Sequence, residues 1–220
     1  MPSRKLDEYP TAEAYLPSRI TLSTLRDASA DCRGCPLYKT GTQTVFGEGR
    51  KDSRVMMIGE QPGDQEDKAG KPFVGPAGGI LDRALEEVGI DRAEVYVTNA
   101  VKHFKWEPRG KRRIHAKPNA REVQACKPWV TAELQVVKPE MVVCLGATAA
   151  QALMGKDFRI TKSRGEIFRD TPYASWLMAT VHPSSILRAP SPADRESAYQ
   201  AFVEDLRVAA HALDGARAGR

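Results

Sequence analysis

Apolar residues along this chain occur in two kinds of run. Four short stretches, Val55–Ile58, Val95–Thr98, Met141–Leu145 and Leu177–Val181, are almost continuously apolar. Runs of that length predict strands buried on both faces. Between them the spacing becomes helical. In Gly78–Val88 the residues Ile80, Leu81, Ala84, Leu85 and Val88 share one face, and Gly89 follows as a stop. Ala120–Val137 predicts a second helix with Pro128 as a kink or break, and Ala147–Met154 and Ala193–Leu213 predict two more. A short helix over Thr21–Ala30 carries Leu22, Leu25 and Ala28 inward. Strands alternating with helices predict an α/β fold: one three-layer α/β/α domain around a central four-stranded parallel sheet. Residues 1–20 read as a loosely held N-terminal arm, 21–213 as the domain and 214–220 as a frayed tail. Such sheets build their sites at the carboxyl ends of the strands. Here those ends carry Glu60, Asn99 and His182.

Composition narrows the class. Of 220 residues 41% are hydrophobic, enough for a sizeable core, and 28% are charged. Met141–Gly155, the longest weakly polar run, is interrupted by Thr148 and Gln151 and is too short to span a bilayer. The first ten residues lack the apolar run of a secretory leader. A membrane protein, a collagen-like chain and a disulfide miniprotein are excluded. A soluble, cytoplasmic monomer is expected. Net charge is +5, but its distribution says more than its sum. Between Val101 and Arg121 stand eight basic residues opposed only by Glu107, so that segment carries +7 and the remainder −2. A focused positive segment suits a polyanion such as nucleic acid, although a solvated basic loop has the same composition.

The four cysteines are Cys32, Cys35, Cys126 and Cys144. In a reducing compartment four cysteines more often ligate metal or sit in the core than form two disulfides. Cys32-Arg33-Gly34-Cys35 is a C-x2-C pair, whose spacing lets two thiolates converge on one metal or cluster. Cys126 and Cys144 must return to it through the fold. Taken singly, Cys144 reads as a core thiol at the end of an apolar run. Taken together, the four favour one four-thiolate site, and both zinc and a [4Fe–4S] cluster fit that number.

Four motifs then carry a resemblance. Gly59-Glu60-Gln61-Pro62-Gly63, Gly70-Lys71-Pro72-Phe73-Val74-Gly75-Pro76-Ala77-Gly78, Val97-Thr98-Asn99-Ala100-Val101-Lys102 and His182-Pro183-Ser184-Ser185, in that order, resemble the uracil-DNA glycosylase superfamily. With the cysteines they resemble its iron–sulfur branch, family 4, from about Cys32 to about Arg207. Two departures, Gln61 where that branch usually has Ala, and the added stretch Gly110-Lys111-Arg112-Arg113-Ile114-His115, resemble the UdgX branch, whose members become covalently attached to uracil-containing DNA through the histidine of that loop.

The resemblance implies a set of roles. The four cysteines hold a [4Fe–4S] cluster of structural role. The partner is uracil-containing DNA, single- or double-stranded, whose uracil is flipped from the stack. Phe73 offers it a π-face, Asn99 reads O4 and N3 through its amide, and Gly59 and Gly63 shape the pocket. His182 hydrogen-bonds uracil O2 as charge develops, and Glu60 stabilises the sugar cation or activates a water. Gln61 orients a water or contacts the ribose. Lys111, Arg112, Arg113, Ser184, Ser185 and Arg188 contact the DNA, with Leu187 placed to fill the gap left by the base. His115 carries the sharpest expectation: cations beside it disfavour imidazolium, leaving a nucleophile that captures C1′ before water does. Two other readings remain: a turnover glycosylase using a Glu60-activated water, and a non-enzymatic metal-bound nucleic-acid module.

Overall fold

The computed structural model describes residues 9–218. Its sheet contains β1 (Val55–Gly59), β2 (Val95–Asn99), β5 (Met141–Leu145), β6 (Ile167–Arg169) and β7 (Trp176–Thr180) in the order β2-β1-β5-β7-β6. The first four are parallel, in the α/β arrangement expected. The sheet has five strands rather than four: β6 pairs antiparallel at the edge. It spans only three residues and none is fully buried, so it leaves no apolar run to read. β1, β2 and β5 are buried along their whole length, as continuous apolar runs between two helical layers require.

One layer contains α3 (Pro76–Glu87), α7 (Pro183–Leu187) and α8 (Pro192–Ala218); Leu81, Leu85, Ile186, Phe202 and Leu206 pack there on Met57, Val97 and Val143. The opposite layer contains α4 (Ala120–Val137) and α5 (Ala147–Met154), with Val130, Leu134 and Ala149 on Met56, Ile58 and Val142. A third cluster joins α1 (Leu22–Ser29) to the outer side of α4 around Trp129 and Leu25. Short helices α2 (Asp64–Ala69) and α6 (Ile160–Ser163) lie in connections. Among the described residues no helix is long and apolar enough to cross a membrane.

Both ends differ from the expected arm and tail. From Tyr9 the N-terminal segment packs on the third cluster, with Ala12 fully buried in a 3-10 turn. It approaches so closely that a Cβ on Gly34 would stand 2.7 Å from the Ala12 nitrogen. At the other end α8 continues through Ala218 instead of fraying at Asp214. Residues 1–8 and 219–220 of the expected arm and tail lie outside the described residues.

The largest element absent from the hydrophobic pattern is a two-stranded hairpin, β3 (Trp106–Arg109) and β4 (Arg112–His115), turned at Gly110-Lys111. Gly110 adopts φ +59°, the left-handed conformation such a two-residue turn demands. The hairpin is mostly exposed and basic, so no buried face produces a visible period.

Candidate active site

The loops after β1, β2, β5 and β7 enclose a cavity of about 780 Å³. Glu60, Phe73, Asn99, Thr148 and His182 line it, and His115 and Ile114 reach it from the hairpin. That volume lies within the usual range of about 300–1,000 Å³ for ligand sites.

Asn99, Phe73 and His182 adjoin one another in this cavity. Asn99 is 2% exposed, and its side-chain amide has no hydrogen-bond partner among the described residues, which leaves donor and acceptor for a ligand. Gly59 permits this placement: a Cβ there would stand 2.3 Å from Asn99 Oδ1 and 2.9 Å from Phe73 Cζ. Phe73 holds φ +55°, a conformation that costs a non-glycine residue about 1–3 kcal/mol and persists only where its surroundings impose it. Gly78 is part of that imposition, because a Cβ there would lie 1.8 Å from the Phe73 carbonyl oxygen. The Phe73 and His182 rings are stacked at 6.1 Å and 25°. Glu66, not singled out by the sequence reading, ties two of the loops together. Its carboxylate accepts from Gly63 N–H at 3.1 Å and Gly75 N–H at 2.7 Å. The clue was its position as the third residue of a helix capped at Gly63.

His182 is held in one tautomer. Its Nδ1 accepts from the Ser184 amide at 3.2 Å and lies 2.8 Å from the Ser184 hydroxyl, which in turn accepts from Arg188 Nη1 at 3.0 Å. Burial lowers its pKa to about 4, with Glu60 pulling upward and Arg188 adding to the decrease. At neutral pH the ring is therefore uncharged, with its proton on Nε2. Ser184 and Arg188 thus act first on His182, and Ser185 Oγ donates to the His182 carbonyl at 2.7 Å.

Glu60 follows β1. Burial alone would raise its pKa, but hydrogen bonds from His115 and Thr148 outweigh burial and hold the carboxyl below its ordinary range. Thr148, at the start of α5, donates its hydroxyl to Glu60 Oε2. His115 Nε2 lies 3.3 Å from Glu60 Oε1, and its side chain is 49% exposed.

Gln61 lines the cavity, and its amide is taken up by backbone groups. Its Nε2 donates to the carbonyls of Lys105 (3.2 Å) and Ala116 (3.0 Å), and its Oε1 accepts from Lys105 N–H at 3.0 Å. It closes the open end of the hairpin from beneath. Arg113 secures the same hairpin. It reaches Asp64 Oδ1 and Asp67 Oδ2, each at 2.6 Å, and lies against the Phe104 and Trp106 rings. The basic segment is also less free than its composition suggests. Lys102 pairs with Glu133 and Lys105 with Glu122, whereas Arg109, Lys111 and Arg112 have no ion pair among the described residues. Three of the unpaired charges thereby stand at the hairpin tip, and Lys117 and Arg121, also without an ion pair among the described residues, follow the hairpin.

The cysteines divide three and one. Cys32, Cys35 and Cys126 are buried and free in the third cluster, beside Trp129, whose Nε1 donates to Cys32 Sγ at 3.3 Å. Cys126 Sγ accepts from Lys102 N–H at 3.3 Å. Burial raises Cys35 to about 11 and Cys126 to about 12, and the neighbouring thiols add to both increases. Three soft donors around one dry space fit the ligand chemistry of an iron–sulfur cluster. Cys144 does not join them. It is wholly buried mid-sheet between Ile58 and Ala179, and its thiol is raised to about 12 by burial alone. Among the described residues no three His, Cys, Asp or Glu side chains converge as ligands of a single ion.

These loops, from the β1 exit to the His182 turn, lie inside residues 46–207, the span matched by the model of the uracil DNA glycosylase superfamily. The chain belongs to that superfamily. Within it, the chain is similar to type-4 uracil-DNA glycosylases. One from Thermotoga maritima is 40% identical over 158 residues, 71% of this chain and 78% of the relative. One from Pyrobaculum aerophilum is 36% identical over 178 residues, 78% and 87%. A type-5 uracil-DNA glycosylase from Thermus thermophilus is 28% identical over 196 residues, 80% and 84%.

Proposed function

We propose that the protein is a uracil-DNA glycosylase of the UdgX type, which excises uracil from DNA and stays joined to the deoxyribose through His115. The observation that carries this reading is the contact of His115 Nε2 with Glu60 at the cavity that Asn99, Phe73 and His182 also line. The type-4 relatives, enzymes named for uracil in DNA, support the substrate.

The uracil enters face-on to Phe73, and the free amide of Asn99 meets its O4 and N3 edge. When the C1′–N1 bond breaks, its electron pair goes to the uracil. The neutral His182 donates from Nε2 to O2, where that charge develops. The ionised Glu60 stabilises the sugar cation. A lone pair of the His115 imidazole then forms a bond to C1′. The proton lost from that ring balances the one the departing uracil takes up. The product is an alkylated imidazole, a poor leaving group, so the protein stays attached. Lys111 and Arg112 at the hairpin tip attract the phosphates. Cys32, Cys35 and Cys126 would hold a [4Fe–4S] cluster that cross-links the turn after α1 to α4, and no step of the reaction runs through it.

A denaturing gel tests this. A labelled uracil oligonucleotide incubated with the protein and boiled in SDS should give a retarded band absent from a thymine control. His115→Ala should lose that band and instead release uracil by hydrolysis, leaving alkali-labile DNA. Wild-type protein that gives only alkali-labile DNA, through many turnovers, would replace this reading with Glu60-activated water.

A further inference from the structure

We infer that Thr148 is a positioning residue of the reaction: its hydroxyl turns the Glu60 carboxylate so that Oε1 is presented to His115. The inference rests on the covalent reading of His115 and Glu60.

The sequence marks Thr148 only as a polar break in an apolar run, outside the four motifs. It is the second residue of α5, just past the carboxyl end of β5. It is 5% exposed, and its hydroxyl has one hydrogen-bond partner among the described residues, Glu60 Oε2. An ionised carboxylate only accepts, so the hydroxyl gives its single proton to this contact. Glu60 Oε1 stands 3.3 Å from His115 Nε2. The carboxylate is thus held between α5 and the hairpin, one oxygen to each. The last torsion of a glutamate side chain is broad, so nothing intrinsic to Glu60 keeps its oxygens in that order. The contact with Thr148 does. The start of α5 adds to it, since the first amides of a helix lack intrahelical acceptors and favour an anion. The same turn bears on His182. Gly146, just before α5, holds φ +95° and donates its N–H to the Thr180 carbonyl at 2.8 Å, and a Cβ on it would stand 3.1 Å from His182 Cβ. Residues 146–148 therefore place Glu60 and His182 relative to one another.

The titratable groups facing Glu60 are His115 from the hairpin and His182 from the turn after β7; Glu66, Lys117 and Arg188 line the same cavity. Losing the Thr148 hydroxyl removes a hydrogen bond that lowers the Glu60 pKa, while the burial that raises it stays. The carboxyl then takes up its proton at higher pH.

The test compares Thr148→Val, which keeps the shape and loses the hydroxyl, with Thr148→Ser, which keeps the hydroxyl. Single-turnover adduct formation and uracil release are timed on a uracil oligonucleotide. Glu60 is titrated by carbon-13 NMR of the glutamate carboxyls, its signal assigned by its loss in Glu60→Gln. Thr148→Val should react about tenfold or more slowly, as the loss of one hydrogen bond to a charged group requires, and its Glu60 midpoint should move up. Thr148→Ser should recover most of the rate and restore the midpoint. Affinity for an oligonucleotide carrying 2′-fluoro-deoxyuridine should change little in either. Equal slowing in Thr148→Ser and Thr148→Val, or a wild-type rate and an unmoved midpoint in Thr148→Val, would overturn the inference. Wild type that releases uracil without forming an adduct would overturn the covalent reading instead, and the same comparison, read from uracil release, would decide whether Thr148 sets Glu60.

Discussion

Gln61→Ala isolates the support of the hairpin from the chemistry of the cavity. The amide makes three hydrogen bonds, at 3.2, 3.0 and 3.0 Å, all to backbone groups of Lys105 and Ala116 where the hairpin joins the body. Each such bond contributes about 1 kcal/mol net, and water recovers part of the loss at this half-buried seam, so removal costs about 2–3 kcal/mol. Concentrated on one hairpin, that raises its opening equilibrium by about 30- to 150-fold. Hydrogen exchange should show the amides of residues 106–115 exchanging faster by that factor while those of β5 stay protected. Covalent capture should slow in parallel, and binding of a uracil oligonucleotide through Asn99 and Phe73 should change little. Wild-type protection of the hairpin combined with lost uracil release would refute this argument and return Gln61 to the reacting atoms.

Three further outcomes are expected. Lys102→Met leaves the Glu133 carboxylate, wholly buried with Thr98 and Tyr96, without its cation, and should lower the unfolding free energy by about 3–5 kcal/mol in urea titrations; adding Glu133→Gln should restore part of it. Gly78→Ala forces a methyl into the Phe73 carbonyl, so uracil release should fall at least tenfold while the circular dichroism spectrum keeps its α/β shape. The His182 pKa is about 4 in the folded protein against 6.5 for an ordinary histidine. The unfolded chain therefore takes up this proton first as pH falls, and His182 contributes a loss of stability between 6.5 and about 4 and no slope above that window. Melting temperatures across that range should fall less steeply for His182→Gln than for wild type.

What the sequence could convey depended on burial. Strands β1, β2 and β5 are dry on both faces, and their unbroken apolar runs were legible; so was α3, whose Leu81, Ala84 and Leu85 recur at helical spacing. The hairpin was hidden because an exposed basic ribbon needs no apolar period. Only its Gly110-Lys111 turn leaves a trace, one that a plain basic loop would also leave. Among the site residues, Glu60, Asn99 and His182 were legible as polar residues at strand exits, because the carboxyl edge of a parallel sheet gathers them. Partnerships were not legible. Nothing in the sequence separates Arg113, bound between two aspartates, from Arg112 beside it, because the acids come from α2, nearly fifty positions upstream. Cys144 was grouped with the other cysteines by number, and only tertiary structure sets it apart.

The segment from Asn99 to Lys105 joins parts that the sequence treats separately. Asn99 lines the cavity, and its carbonyl accepts from the buried Lys102 ammonium at 3.0 Å. Lys102 also touches Cys126 through its backbone, and Lys105 rests on Gln61 beneath the hairpin of His115. In the proposed function, base recognition, thiol packing and nucleophile placement would therefore share seven consecutive residues as one cooperative unit. A disturbance at the thiols would reach Asn99 and the His115 hairpin together. On the proposed function, a damaged molecule of this protein would fail silent: it would be less able to attach to a strand in error than one whose nucleophile stood on an independent support.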